Sequence, residues 1–151
     1  MTVDTFRLTV VSVAASVLLA GVAVRSAQQD ADDDDRKPTL KLTASPPISF
    51  APSRVFLRVE VQGGANDFAD YYCPSIEWEW GDGTISESTY DCEPYVAGQS
   101  EIRRRYVVER LFREAGDYDI EFKLKQNKRV VAFTGTTISV RPGLAEPGFI
   151  P

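Results

Sequence analysis

The sequence has 151 residues, a formal net charge of −5 and no histidine. That length suits one domain. The missing histidine removes the commonest general base and zinc ligand, and the acidic balance argues against nucleic acid, which favours a basic surface.

Residues 1–27 read as a segment outside the domain. Leu8 to Val24 is an uncharged apolar run, preceded by Arg7 and followed by Arg25. It is long for a signal-peptide core and short for a spanning helix. Small residues at Gly21 and Ala23, or Val24 and Ser26, offer cleavage sites. The expectation is an N-terminal signal helix, with an uncleaved anchor as the alternative; a membrane enters only in that second case. Leu19-Ala20-Gly21 resembles the start of a lipoprotein signal, but Val22 stands where that signal needs cysteine. The expected location is secreted, periplasmic or cell-surface. Residues 28–37 form an acidic spacer, with Asp30, Asp32, Asp33, Asp34 and Asp35 interrupted only by Ala31. Such a run self-repels and buries no apolar surface, so disorder is expected. The alternative, a calcium-binding tract, lacks glycine-punctuated ligand spacing.

A β domain is expected over 38–142. Pro38 opens it, and Leu40-Lys41-Leu42-Thr43 alternates as an edge-like strand. Ser45-Pro46-Pro47 and Ala51-Pro52-Ser53 break the chain, since proline cannot donate to a central ladder. Val55, Leu57, Val59 and Val61 alternate with Phe56, Arg58 and Glu60, a half-buried strand ended by Gly63-Gly64. A long connection over 64–75 carries Asn66, Asp67, Phe68, Asp70, Tyr71, Tyr72 and Cys73.

Ile76, Trp78 and Trp80 then alternate with Glu77 and Glu79, so two indoles should lie on one buried face. Asp82-Gly83 predicts a two-residue hairpin turn. A second long connection, roughly Ser88 to Ser100, contains Tyr90, Cys92, Pro94, Tyr95 and Gly98. Cys73 and Cys92 are the only cysteines. In an exported chain such a pair forms a disulfide, worth about 3 kcal/mol in the loop-entropy account; free thiols would require a reducing compartment. Bonded, they tie the two connections across the hairpin.

Ile102 to Phe112 predicts a strand in which Arg110 shares the parity of Tyr106, Val108 and Phe112, which suggests a bulge. Arg103-Arg104-Arg105 reads as a solvated strand end balanced by Glu101, Glu109 and Glu114, or as an anion patch. After a turn at Glu114-Ala115-Gly116-Asp117, Tyr118, Ile120, Phe122 and Leu124 alternate cleanly with charged residues. Gln126-Asn127-Lys128 turns the chain back, and Arg129 to Val140 is the last strand, with a bulge expected at Gly135. Pro142-Gly143 ends the domain and 143–151 reads as a flexible tail. About seven strands without helical periodicity predict an immunoglobulin-like antiparallel β-sandwich.

Two segments resemble one family, the PKD domain (polycystic-kidney-disease-type repeat). Its members carry a W-D-F-G-D-G-type hairpin and, further on, a segment resembling H-x-Y-x-x-x-G-x-Y-x-V-x-L-x-V. Here the first is Trp78-Glu79-Trp80-Gly81-Asp82-Gly83-Thr84. The second runs from Arg110 through Phe112, Gly116 and Tyr118 to Leu124. Phe112 replaces the usual Tyr, and Arg110 stands where the family commonly has His. The long 88–100 connection and the cysteine pair depart from the short family form. The resemblance implies a core role for Trp78 and a tyrosine-corner role for Tyr118. It also implies an extracellular interaction or spacer module.

The leading functional expectation is a non-enzymatic binding or structural module, without a cofactor, whose partner is an extracellular protein or polysaccharide. No nucleophile–base arrangement is present. Phe68, Tyr71, Tyr72, Tyr90 and Tyr95 all lie in the long connections. They either present flat amphipathic rings to a partner or fold down to cap the sandwich. One alternative is a calcium-stabilised module with Asn66, Asp67 and Asp70 as oxygen ligands. Another is a glycoside-acting enzyme using Glu77 with Glu79, or Asp82 with Asp91, as paired carboxylates.

Overall fold

The computed structural model describes residues 36–143. The expected export segment (1–27), residues 28–35 of the acidic spacer and the tail beyond Gly143 lie outside the described residues. Within them, no helix is long and apolar enough to cross a membrane.

The strands are β1 (Thr39–Ser45), β2 (Ile48–Phe50), β3 (Ser53–Gln62), β4 (Ser75–Glu79), β5 (Ile85–Ser88), β6 (Arg105–Phe112), β7 (Gly116–Gln126) and β8 (Arg129–Arg141). One 3₁₀ turn, Ala69–Tyr71, interrupts the first long connection. A three-stranded sheet has the order β1-β3-β6, and a five-stranded sheet the order β2-β8-β7-β4-β5. The core lies between them. Val55, Leu57, Val59 and Val61 from β3 face Trp78, Ile120, Phe122, Leu124, Ile138 and Val140 from the larger sheet. The predicted alternation is thus realised, because a strand with period two buries one face. Trp78 stacks on Trp80 at 5.4 Å with rings 10° apart, and meets Phe122 edge-on at 4.7 Å.

Four expectations need correcting. First, the sandwich is not wholly antiparallel. After the Pro46-Pro47 break the chain crosses to the larger sheet, where β2 runs parallel to β8 with Ile48 opposite Ser139. Three residues flanked by prolines are too few to show a period in the sequence. Second, the hairpin loop has three residues. The Trp80 N–H reaches the Thr84 carbonyl at 3.1 Å, so Gly81, Asp82 and Gly83 lie between. The glycines take positive φ, 73° and 81°, and Asp82 does not. The two-residue turn occurs instead at Asn127-Lys128, both at positive φ as a primed turn requires.

Third, Gly135 sits in regular register opposite Glu121. The bulge falls at Val131, between the Leu124–Ala132 and Lys125–Val130 pairs. It lets Val131 and Ala132 both pack against the core and turns Phe133 out to solvent, 69% exposed. Fourth, β6 carries no bulge: its register with β3 is unbroken from Ser53–Phe112 to Glu60–Arg105. Arg110 therefore occupies an inward position opposite Val55.

Candidate functional site

The two long connections meet at one end of the sandwich. β3 stops there, β4 starts there, and β5 hands over to β6 there. Cys73 and Cys92 are disulfide-bonded, with Cα atoms 6.2 Å apart, and join the two connections as expected. Arg104 fixes the other side of this end. Its guanidinium donates to Asn66 Oδ1 at 2.9 Å and to the carbonyls of Gly63 and Gly64. Arg103 instead lies 4.5 Å over the Tyr90 ring and 5.7 Å from that of Tyr106. The arginine triplet therefore diverges, and the anion-patch alternative fails. Burial pushes the Tyr106 phenol up to about 12.

The five candidate rings divide. Tyr71 is 2% exposed, donates to the Pro38 carbonyl at 3.0 Å and meets Phe68 edge-on at 5.2 Å. Tyr71 is thus a core residue and offers no binding surface, and Phe68 packs against the core beside it. Both take the capping role, because a long connection needs an apolar anchor. The other three keep a face to solvent, although Tyr72 also packs against the core. Tyr72 is half-buried and donates to the Glu93 carbonyl at 2.9 Å. Tyr95 donates to the Asp67 carbonyl at 2.6 Å, and its ring centre lies 5.5 Å from that of Tyr72. Tyr90 and Tyr95 are each 38% exposed.

Tyr72 and Tyr95 border an open cleft of about 610 Å³ with Asp70, Gln126, Asn127 and Arg129. Gln126 Nε2 donates to the Tyr72 carbonyl, which leaves its amide oxygen as an acceptor. A second depression of about 430 Å³ lies among Tyr72, Tyr90, Asp91, Glu101 and Arg103. Tyr72 and Cys73 border both. Of the polar residues lining the first cleft, the sequence marked only Asp70, as a candidate calcium ligand. Gln126 and Asn127 read there only as turn residues.

The proposed oxygen ligands do not converge. Asp67 accepts from Arg36 at 2.9 Å and from the Gly98 N–H at 3.0 Å. The Gly98 bond, with help from Arg36, holds its carboxyl below the usual range. Asn66 is taken by Arg104, and Asp70 faces Arg129 at 3.5 Å.

The carboxylate pairs are equally committed. Glu77 and Glu79 stand on the outer face of the larger sheet. Lys125 bonds Glu77 at 2.7 Å and Glu87 at 3.2 Å, while Lys123 bonds Glu79 and lies 3.5 Å from Glu121. The Lys125 hydrogen bond holds the Glu77 carboxyl down, whereas a general acid needs it raised. Asp82 lies in the hairpin turn, and Asp91 follows β5 at the other end of that strand. The paired-carboxylate reading therefore fails on geometry and on charge.

The hairpin end carries a device that the sequence reading missed. Arg110, from the smaller sheet, donates to Asp82 Oδ2 and Thr84 Oγ1, each at 2.7 Å. Its guanidinium lies 4.3 Å over the Trp80 ring, and Trp80 Nε1 donates to Ser86 Oγ at 2.9 Å. Asp82 also accepts from the Thr84 N–H at 2.9 Å. Burial alone would raise this carboxyl, but the Thr84 hydroxyl and N–H, with Arg110, outweigh it and hold it at about 2. Arg110 thus clamps the two sheets together at the hairpin. The signal was its inward parity. At the neighbouring turn, Tyr118 donates to the Glu114 carbonyl at 2.9 Å, as expected of a tyrosine corner.

No known family's sequence profile matches the chain, and no curated protein matches it. Several solved structures resemble it in three dimensions, among them these two. One is the CARDB domain of a Pyrococcus furiosus protein, solved in complex with di-metal ions. It is 15% identical, with a TM-score of 0.43 over 72% of this chain and 97% of that one. The other is the PKD domain of an M14-like peptidase from Thermoplasmatales archaeon SCGC AB-540-F20. It is 12% identical, with a TM-score of 0.47 over 70% of this chain and 98% of that one.

Proposed function

We propose that this chain is a non-enzymatic interaction module of PKD type that works outside the cytoplasm and binds polysaccharide at its disulfide-tied loop end. One observation carries the reading: Tyr90 and Tyr95 stand exposed, with Tyr72 half-buried beside them, on connections that a covalent bond holds in place. Tyrosine offers a flat amphipathic face at low entropic cost. Pre-ordered loops bind with less ordering cost than free ones. The carboxylate, amides and guanidinium of Asp70, Gln126, Asn127 and Arg129 beside the rings supply paired donors and acceptors for sugar hydroxyls. The disulfide itself suits an oxidising compartment.

The test is a panel of immobilised cell-envelope and plant polysaccharides, with an envelope protein fraction alongside. Wild-type protein is compared with the double variant Tyr90→Ser, Tyr95→Ser. Loss of polysaccharide retention, with the melting temperature lowered by less than about 5 °C, supports the reading. Retention of envelope protein only would reassign the surface to a protein partner. Unchanged retention by the double variant would remove the loop end as the binding surface.

A further inference from the structure

We infer that two copies of this domain pair edge to edge through β6, in one register, to make a continuous six-stranded sheet. β6 is the outermost strand of the smaller sheet, and its far side meets no other strand among the described residues. The phase of its free hydrogen-bonding groups is fixed. The Val61 N–H donates to the Arg104 carbonyl at 2.9 Å, so in this antiparallel ladder Tyr106, Val108, Arg110 and Phe112 turn their peptide groups toward β3. Arg105, Val107, Glu109 and Leu111 turn theirs to the open edge. No hydrogen bond among the described residues uses those groups.

The same four side chains stand on the outer face of the sheet. Val107 is 59% exposed, Phe56 lies exposed diagonally beside it, and Leu111 is exposed two outward positions further along the strand. Exposed edges recruit other strands, and proteins ordinarily blunt them with charge. Here the charges are arranged as Arg-x-Val-x-Glu, which is complementary to itself when reversed. A two-fold axis must pair outward-turned residues with outward-turned residues, which leaves three central registers. An axis at Glu109 sets two carboxylates opposite each other and Arg105 opposite the partner's Arg113. An axis at Val108 sets Val107 against the partner's Glu109. An axis at Val107 sets the two valines together and places Arg105 opposite the partner's Glu109, twice. Like charges directly opposite destabilise a strand pair and unlike charges favour it, so the third register is selected. Glu109 already accepts from Arg54 on its own sheet, and the partner's Arg105 would complete an Arg–Glu–Arg row. The antiparallel pairing points the two loop ends in opposite directions, so one dimer could bridge two ligands. The pairing does not depend on what those ends bind.

A strand pair of this length buries a small area, so the dimer should be weak and concentration-dependent. Sedimentation velocity of the intact protein over rising concentration reads it directly. Arg105→Glu alone and Glu109→Arg alone should each weaken self-association by about tenfold or more, since each sets like charges together. The double swap, Arg105→Glu with Glu109→Arg, should restore it. Arg54→Ala separates the loss of the internal pair from the loss of the pairing across the edge and should leave association largely intact. A protein that stays monomeric throughout would overturn the inference. So would single variants that associate like wild type, or a double variant that stays as weak as the singles.

Discussion

The two ends of this sandwich hold their loops by different means. At the hairpin end three residues turn the chain. Two glycines supply the geometry, and a single guanidinium ties the turn to the opposite sheet. At the other end two long connections are held by a disulfide, the Tyr71, Tyr72 and Tyr95 hydroxyls, and Arg104. The cost of ordering a loop rises with the number of residues fixed. A short turn therefore needs only one distant tie beside its local backbone chemistry, whereas the long connections need several ties to distant parts of the chain. The long-loop end leaves tyrosine faces beside two clefts for a partner.

Trp78→Ala should break both ends alike. It removes the ring that packs between Trp80 and Phe122, and the loss should be about 3–5 kcal/mol in chemical denaturation, the usual cost of emptying a buried aromatic site. A loss below about 1 kcal/mol would mean that the ring is not in the core.

Replacing Cys73 and Cys92 by serine should separate the ends. Stability should fall by about 3 kcal/mol, the loop-entropy value for a closure of this size. Amide exchange should accelerate over 64–74 and 89–101 and stay unchanged over 80–84. Equal acceleration at both ends would contradict the division.

Within the hairpin the glycines should differ. A Cβ at Gly81 would lie 2.7 Å from the Asp119 nitrogen and 2.8 Å from its carbonyl oxygen, while one at Gly83 meets nothing within 4 Å. Both have positive φ, so Gly81→Ala should cost about 3 kcal/mol and Gly83→Ala about 1 kcal/mol.

The smallest effect should come from the clamp. Asp82→Asn should cost about 1 kcal/mol near neutrality, because the side chain is 30% exposed and its ion pair is partly screened. The Asp82 carboxyl is lowered from 3.8 to about 2 in the folded protein. Between those values the unfolded chain binds the proton and the folded one does not, so stability rises with pH there. The difference between wild type and Asp82→Asn should hold above about pH 4 and shrink as the pH falls toward 2. A difference that stays constant down to pH 2 would place the stabilisation elsewhere.

Regular alternation made most of the strands legible. β3, β4 and β7 follow it closely, and the cysteine pair bonded as compartment logic required. What escaped had physical reasons. β2 is too short to show a period, and it is held by its parallel pairing with β8 rather than by its own composition. The Val131 bulge depends on how β8 meets β7, and a run of Val, Val, Ala and Phe is apolar at every phase. Arg110 looked like an error in the pattern because a charge on an inward position usually marks a register change. Here the Trp80 face and the Asp82 carboxylate make that position favourable. At the loop end the sequence marked the tyrosines. It could not say which would be buried, because that depends on contacts such as Tyr71 with Pro38, far apart in the chain.

The stacked indoles have an optical consequence. Trp78 and Trp80 are the chain's two tryptophans, and both are buried. Their emission therefore reports the interior and the guanidinium above Trp80, and it should shift to the red as water enters on unfolding. The ring partners of the indoles are each other, Phe122 and Arg110 rather than the loop tyrosines, so a ligand arriving at the loops should register mainly in tyrosine absorption. One cuvette could then follow folding and binding as separate signals, without an added dye.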